Sequence, residues 1–451
     1  VNAGSAIDAA LAHYAAGRSQ EALDGLMAIP NVTRTPAGCN LIAGLLTDLN
    51  RAGDALPYLK TGLALAPTDP ALLTAAGKAL SALNRWTEAE PTYDKAVAAG
   101  RTADRLRDRG WARVKLGRLA AAIADFDAAL ALDPADADSE TCRGMARLLL
   151  GDYPAGLADY EARYRRRHMP VRMPDQFDCP VWPGGDPAGK TILAHAEQGL
   201  GDAIQFARMA RALADRGANV VLGTPARLLR LFQPLAGDGV VLRDTSLPGE
   251  TFDYTVPLMS LPHRLGITPD TIPWPGPYLK AEPERVAFWH DRLGDDGRKI
   301  IGVVWQGNPT GSIDVGRSLP LALLEPIAKL RGVRLVALQK GHGLDQIAGL
   351  PAAMHVDTLG DDFDTGGDAF LDTAAVMALC HSIVTTDTAP AHLAGALGLP
   401  AIVLLQHVPD WRWGVEGTTT PWYPTLKLAR QPSPGDWQGA IGRAVKLIRA
   451  G

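Results

Sequence analysis

The sequence predicts an α + α/β protein: a superhelix of helical repeats followed by two α/β halves. Three observations predict it. A column of small residues, Ala22, Ala55, Ala89, Ala122 and Gly156, recurs at intervals of 33, 34, 33 and 34 residues. Thr191-Ile-Leu-Ala leads through His195-Ala-Glu-Gln-Gly-Leu-Gly-Asp202 into a helix-period run, the order strand, glycine loop, helix. The same order returns where Ser382-Ile-Val-Thr-Thr386 runs into Asp387-Thr-Ala-Pro-Ala-His-Leu.

Composition bounds the reading. A chain of 451 residues has room for two or three domains, each with its own core. A net charge of −4 gives no overall attraction to nucleic acid or an anionic membrane, and no aromatic residues interleave with basic runs. Cys39, Cys142, Cys179 and Cys380 form no C-x-x-C, which favours reduced thiols over a disulfide frame or zinc site. Neither a signal peptide at Val1 nor a bilayer-length apolar run is seen, so the chain is expected in the cytoplasm.

Residues 1–168 read as about five units of tetratricopeptide period. A larger column runs Leu26, Leu59, Tyr93, Phe126, Tyr160, and a turn column Gly17, Asn50, Asn84, Gly117, Gly151. Gly77, Gly110 and Gly144 mark close helix packing, and Pro67 and Pro134 end their units. A helical hairpin cannot bury its apolar face alone, so the units are expected to stack into a concave surface. Such a surface suits a peptide, protein or glycan acceptor; the alternative is a brace for the domain behind it.

Residues 169–189 form the linker. Arg165-Arg-Arg167 reads as a solvated helix end or a neighbour of a phosphate-bearing ligand. Pro170, Pro174, Pro180, Pro183 and Pro187 exclude regular helix and central strand. The first Rossmann-like half spans 190–283, with strands expected at 191–195, 219–223, 240–243 and 252–257 and one amphipathic helix from Ala203 to Ala214. Asp202 stands at the helix mouth, either as an N-cap or facing the crevice where open α/β sheets bind ligands. Gly199-Leu-Gly201-Asp-Ala-Ile204 has Ile where a dinucleotide fingerprint needs its third glycine, and the second strand ends without a ribose-binding acid, which argues against hydride transfer. The cluster from Pro269 to Pro283 is read as the hinge.

The second half, 284–451, is expected to place strands at 299–305, 334–339, 382–386 and 401–405. Thr388 as N-cap, Pro390 in the first turn and Gly398 as the stop define a short helix at a strand end, a setting that suits phosphate. Arg317 and Lys340 follow other strands of this half and are candidates to complete the anion site, or else solvated loop cations. Trp411 and Arg412 follow a strand as well, either packing on a base or sugar or anchoring the loop. Asp362-Phe-Asp364 lies in an acidic glycine-rich loop and reads as surface rather than as a metal-binding pair.

His195-Ala-Glu-Gln-Gly-Leu-Gly-Asp202, Trp305-Gln-Gly-Asn-Pro309 with Arg317-Ser318, and Thr386-Asp-Thr-Ala-Pro-Ala-His-Leu393 resemble bacterial tetratricopeptide proteins carrying a glycosyltransferase domain of the ADP-heptose:lipopolysaccharide heptosyltransferase type. The resemblance covers essentially the whole chain. It implies a GT-B pair of halves, acceptor side first, and inverting, metal-independent sugar transfer from a nucleotide-diphosphate donor, with no cofactor. It implies Asp202 as general base and donor contacts from Asp387, Thr388 and His392. Glu197 and His195 share the Asp202 loop and are the rival bases, and by position the donor site is also expected to include Gly199, Gly201, Gln306, Asn308, Arg317, Ser318, Lys340, Ala389, Trp411 and Arg412. The chain departs from many relatives at Pro390, where they carry a smaller or polar residue. There is also an architectural similarity to O-linked N-acetylglucosamine transferase, whose donor motifs do not match. The alternative is a non-catalytic repeat scaffold with a degenerate nucleotide-binding domain.

Overall fold

The computed structural model describes residues 3–166, 178–245, 251–274, 276–309, 314 and 316–450. Arg167, Pro170, Pro174 and Pro275 of the sequence reading lie outside them. The chain divides into two compact units, Val1–Ala146 and Arg147–Gly451.

The first unit is built from antiparallel helix pairs: α1 (Ala3–Ala15) with α2 (Ser19–Met27), α3 (Pro36–Asp48) with α4 (Ala52–Leu65), α5 (Pro70–Ala82) with α6 (Trp86–Ala99), and α7 (Ala103–Lys115) with α8 (Leu119–Leu132). α9 (Ala137–Leu149) crosses the boundary and α10 (Tyr153–Tyr160) belongs to the second unit. The columns follow from local chemistry. Gly17, Asn50, Asn84, Gly117 and Gly151 all have φ between +58° and +84°, the left-handed turn that glycine and asparagine tolerate best. Thr35, Asp69, Thr102 and Asp152 accept N–H groups from the first turns of α3, α5, α7 and α10. The small and large columns are buried throughout. At Gly110 a Cβ would lie 2.6 Å from the Phe126 ring, and at Gly77 2.4 Å from Tyr93, so these glycines set how closely paired helices approach.

In the second unit β1 (Thr191–His195) is followed by α11 (Leu200–Phe206), α12 (Arg208–Ala214), β2 (Asn219–Thr224), β3 (Val240–Asp244), β4 (Tyr254–Pro257) and α13 (Leu261–Arg264). The four strands form a parallel sheet in the order β3-β2-β1-β4. The expected single helix is broken at Ala207. Tyr278 Oη donates to the carbonyls of Ile204 and Gln205, and Arg208 Nε to that of Gln205, drawing both away from the helical ladder. The described end of the linker is neither helix nor central strand. Val181 bridges in parallel to Thr255, and Trp182 is fully buried, so its described end packs as an edge of this sheet, where prolines are tolerated.

α14 (Pro283–Leu293) leads into β5 (Lys299–Val304), α15 (Glu325–Ala328), β6 (Val333–Ala337), β7 (Val356–Asp357), α16 (Leu371–Leu379), β8 (Ser382–Thr386), α17 (Ala389–Ala396), β9 (Ala401–Leu405), β10 (Leu426–Arg430) and α18 (Trp437–Ala450). This sheet is parallel in the order β10-β9-β8-β5-β6-β7. Its core sets Ile301, Val303, Leu335, Val384 and Leu404 against Ala440, Ile441 and Ala444 of α18. The expected hinge is a packed strap: the N–H groups of Tyr278 and Leu279 donate to the Ala396 carbonyl, while Tyr278 Oη reaches α11. Among the described residues no helix is long and apolar enough to cross a membrane.

Gly110 and Gly44, a glycine of α3 that lies 33 residues before Gly77, should respond oppositely to the same change. Gly110→Ala forces the buried Phe126 ring to move and should cost about 1–3 kcal/mol, the usual range for overpacking. At Gly44 a Cβ meets nothing within 4 Å, so Gly44→Ala should stabilise α3 by about 0.5–1 kcal/mol. Urea melts of the intact chain measure both, and equal shifts would sink the packing account.

Candidate functional site

Strand order locates the site before any side chain does. The first sheet reverses direction of growth between β1 and β4, the second between β5 and β8. In open parallel sheets such reversals leave a crevice beyond the carboxyl ends of the strands. The loop 195–202 leaves β1, Asp387 and Thr388 leave β8, and residues 305–318 follow β5. The motifs singled out in the sequence therefore occupy the two switch points.

At the first, Gly199 caps α11 and its N–H donates to Asp202 Oδ2 at 3.1 Å. Asp202 is thus the third residue of the helix rather than its N-cap, and its carboxylate closes the first turn from inside. Oδ1 accepts from Arg412 Nη2 at 2.5 Å. Burial lifts this carboxyl above the ordinary aspartate range; Arg412 pulls the other way and Asp410 adds to the lift. The side chain retains 24% exposure, so it remains within reach of a ligand.

The rivals are differently placed. Glu197 is buried, with Oε1 accepting from Arg163 Nη2 at 3.0 Å and from the Met259 N–H at 3.1 Å, and Oε2 accepting from Tyr164 Oη. Arg163, fully buried, also donates to Glu161 and Ser260 and lies against the rings of Tyr160 and Tyr164. Glu197 therefore ties the glycine loop to the turn after α10, an arrangement that does not aim it at a substrate. His195 is likewise fully buried, in register with Gly223 and Pro257 of the neighbouring strands.

At the second switch point Asp387 is pushed up to about 6, by burial first and then by Asp410, with Trp413, Arg317 and Arg412 opposing. Thr388 occupies the N-cap of α17, but its hydroxyl turns back to the Thr386 carbonyl instead of capping. Pro390 brings no N–H and the Ala391 N–H bonds to the Thr388 carbonyl, so this mouth has fewer backbone donors than an ordinary first turn. Gly201 packs against it: a Cβ there would lie 3.1 Å from His392 Cδ2 and 3.2 Å from Ala389 Cα. His392 is buried, stacked on Trp413 at 5.3 Å with Nδ1 3.2 Å from Tyr423 Oη; burial, then Arg412, keeps it neutral. Gly201, Ala389 and His392 thus form a helix contact.

Arg317 stands over Gly307, its Nε 3.5 Å from Asp314 Oδ1, and its charge is felt at both Asp202 and Asp387. Ser318 donates to Asp314 and accepts the Gly307 N–H, fixing the loop. Gln306 is held by Gln339 and Gln346, and Asn308 is exposed in the same loop. Lys340 does not join this cluster: its ammonium donates to the carbonyls of Phe363 and Asp364. Trp411, a candidate base or sugar platform, is 4% exposed and packed among Tyr153, Tyr160, Phe206 and Trp422. Asp362 pairs with Arg292 at the surface. Asp364, expected there too, is half-buried and accepts the Asp372 N–H at the start of α16.

The sequence reading missed Arg163, Tyr164, Gln205 and Asp410, which hold Glu197 and Arg412. Only the run Tyr160-Glu-Ala-Arg-Tyr164, charged and aromatic at a helix end, signalled any of them. Two cavities, of about 400 and 730 Å³, lie elsewhere, one beside β7 and one between α14 and α16.

Comparisons with known proteins reach part of the repeats and, in one relative, nearly the whole chain. Residues 108–136, from midway in α7 through α8, match the tetratricopeptide repeat family. Over 441 residues the chain is 28% identical to "Protein FlbA" of Caulobacter vibrioides, covering 91% of this chain and 72% of that one. Among solved structures, a thermophilic tetratricopeptide protein of Thermus thermophilus is similar over 37% of this chain and 91% of its own (22% identity, TM-score 0.33). MamA from Desulfovibrio magneticus is similar over 37% and 97% (19% identity, TM-score 0.33). The chain carries tetratricopeptide repeats, joined to two parallel-sheet α/β halves.

Breaking a buried ion pair leaves an uncompensated charge, typically at a cost of about 3–5 kcal/mol. Arg163→Met should therefore destabilise the chain by about that much, and Arg163→Met with Glu197→Leu by clearly less. Denaturant melts of both single variants and the double decide it; a double variant as unstable as the sum of the two singles would refute the pairing.

Proposed function

We propose that the protein is a glycosyltransferase of GT-B type, moving a sugar from a nucleotide-diphosphate donor to a hydroxyl of an acceptor bound through the repeats. The observation that carries this reading is the gathering of Asp202, Asp387, Arg317 and Arg412 where the switch points of the two sheets adjoin. Asp202 takes the proton of the acceptor hydroxyl. The hydroxyl oxygen bonds to the anomeric carbon from the face opposite the diphosphate, and the sugar–phosphate bond breaks with inversion. The electron pair leaves with the nucleoside diphosphate, whose charge Arg317 and the start of α17 stabilise. Burial of Asp202 supports the assignment, because a raised proton affinity makes a carboxylate a better base.

The second reading, a scaffold that transfers nothing, draws support from one feature: the Asp202 carboxylate already has partners on both oxygens. Calorimetric titration with a panel of nucleoside diphosphates separates the two, since binding to none would leave the scaffold. For the diphosphate that binds, Arg317→Ala should weaken affinity by about 1.5–3 kcal/mol, the range for hydrogen bonds to charged groups. Lys340→Ala should leave it unchanged.

Asp202→Asn should lower transfer by about 10²–10⁴-fold without changing donor affinity. Undiminished transfer would remove Asp202 from the chemistry.

A further inference from the structure

Arg412 is placed where it has little freedom to serve a donor. Nε donates to Gln205 Oε1 at 2.7 Å, Nη1 to Asp410 Oδ1 at 2.8 Å, and Nη2 to Asp202 Oδ1 at 2.5 Å. The guanidinium carbon lies 4.7 Å from the ring centroid of Trp411 and 5.4 Å from that of Phe206. The residue is 7% exposed. All three nitrogens and both neighbouring rings are thus engaged, by α11 on one side and by the loop after β9 on the other.

The consequence falls on Asp202. One oxygen is held by the Gly199 N–H and the other by Arg412, and two anchors on different oxygens fix both the position and the plane of a carboxylate. From this geometry we propose that Arg412 is a positioning residue: it orients the Asp202 carboxylate for the acceptor hydroxyl and ties that orientation to the Asp410–Trp413 loop. The inference rests on the transferase reading for its catalytic meaning, whereas the orienting contact stands on geometry alone. Lysine cannot replace the fork, because a single ammonium cannot reach Gln205, Asp410 and Asp202 together in one plane. The charged and titratable groups facing Asp202 are Arg412 and Asp410 from the loop after β9, Arg317 from the loop after β5, and Tyr160 from α10.

The test compares Arg412→Lys and Arg412→Gln with the intact chain, using the nucleotide sugar whose diphosphate binds. Both variants should lose about 10–100-fold in kcat, the usual cost of a misplaced catalytic group, with the Kd for the nucleoside diphosphate held within about twofold. The acid limb of the pH profile should move to higher pH in Arg412→Gln, where the cation favouring the charged carboxylate is gone, and stay in place in Arg412→Lys. A tenfold weaker Kd with kcat intact would make Arg412 a donor ligand and overturn the proposal.

A second measurement needs no activity. Melting temperatures of Arg412→Gln, Asp202→Asn and the double variant should be non-additive, the double losing little more than the worse single. Additive losses would overturn the contact. If the intact chain transfers no sugar while melting remains non-additive, the transferase reading and the catalytic role fall together and the orienting contact alone survives.

Discussion

The close approach of α11 to α17 at Gly201 is the constraint on which the rest of the α/β unit depends. A Cβ at Gly201 would lie within 3.1 Å of His392 and 3.2 Å of Ala389, so even alanine would press on the Ala389–His392 turn. The two switch points are therefore drawn together, and groups that belong to different sheets come under one electrostatic influence. Across that contact Arg412 reaches both Asp202 and Gln205. The strap at Tyr278 supports it from behind, bonding to Ala396 at the end of α17 and to Ile204 and Gln205 in α11. Its hydroxyl breaks the helix after α11, which turns α12 away and leaves Arg208 to donate to the carbonyls of Trp274 and Trp422.

A second constraint acts at the entrance to the unit. Arg163 and Glu197 are both buried, and desolvating two charges is costly unless every remaining donor and acceptor finds a partner. Here they do: Tyr164, Ser260, Glu161 and the Met259 N–H complete the network. Such a network contributes little net stability over an apolar pair, but it admits one arrangement. The turn after α10, the glycine loop and the start of α13 are registered against one another, so α10, the last helix of the repeat pattern, is built into the domain that bears Asp202.

What was legible in the sequence was what local chemistry controls. The turn column was readable because a left-handed backbone demands glycine or asparagine, and the glycine column because Tyr93 and Phe126 leave no room for a Cβ. Strands β1, β2, β5, β8 and β9 were readable as apolar runs ending at loops. β7, two residues long, and β10, with Lys427 and Arg430 inside it, lacked such a run and were missed. In the candidate site, Asp202, Asp387 and Arg317 were recognisable from position after a strand. Their company was not, because Arg412 meets Asp202 across 210 residues and Arg163 meets Glu197 across 34. Lys340 and Trp411 mark the limit of position as evidence. Both follow strands, yet one side chain caps carbonyls and the other fills a core.

Charge balance gives the site its last physical requirement. Among the described residues, the carboxylates Asp202, Asp314, Asp387 and Asp410 stand against Arg317 and Arg412, so these six, fully ionised, are together anionic. The diphosphate of the proposed donor would bring further negative charge, and in a partly buried setting that repulsion is weakly screened. Two features of the cluster relieve it. Burial first, then Asp410, raises the proton affinity of Asp387, and an anion brought beside it would raise it further. Arg317 is joined to Asp314 by a long contact of 3.5 Å, the loosest ion pair in the cluster, and is the cation most readily turned toward a new anion. Arg412, held on all sides, is the least. The two arginines thus differ in freedom: Arg317 is loosely paired, whereas Arg412 is fixed against the Asp202 carboxylate.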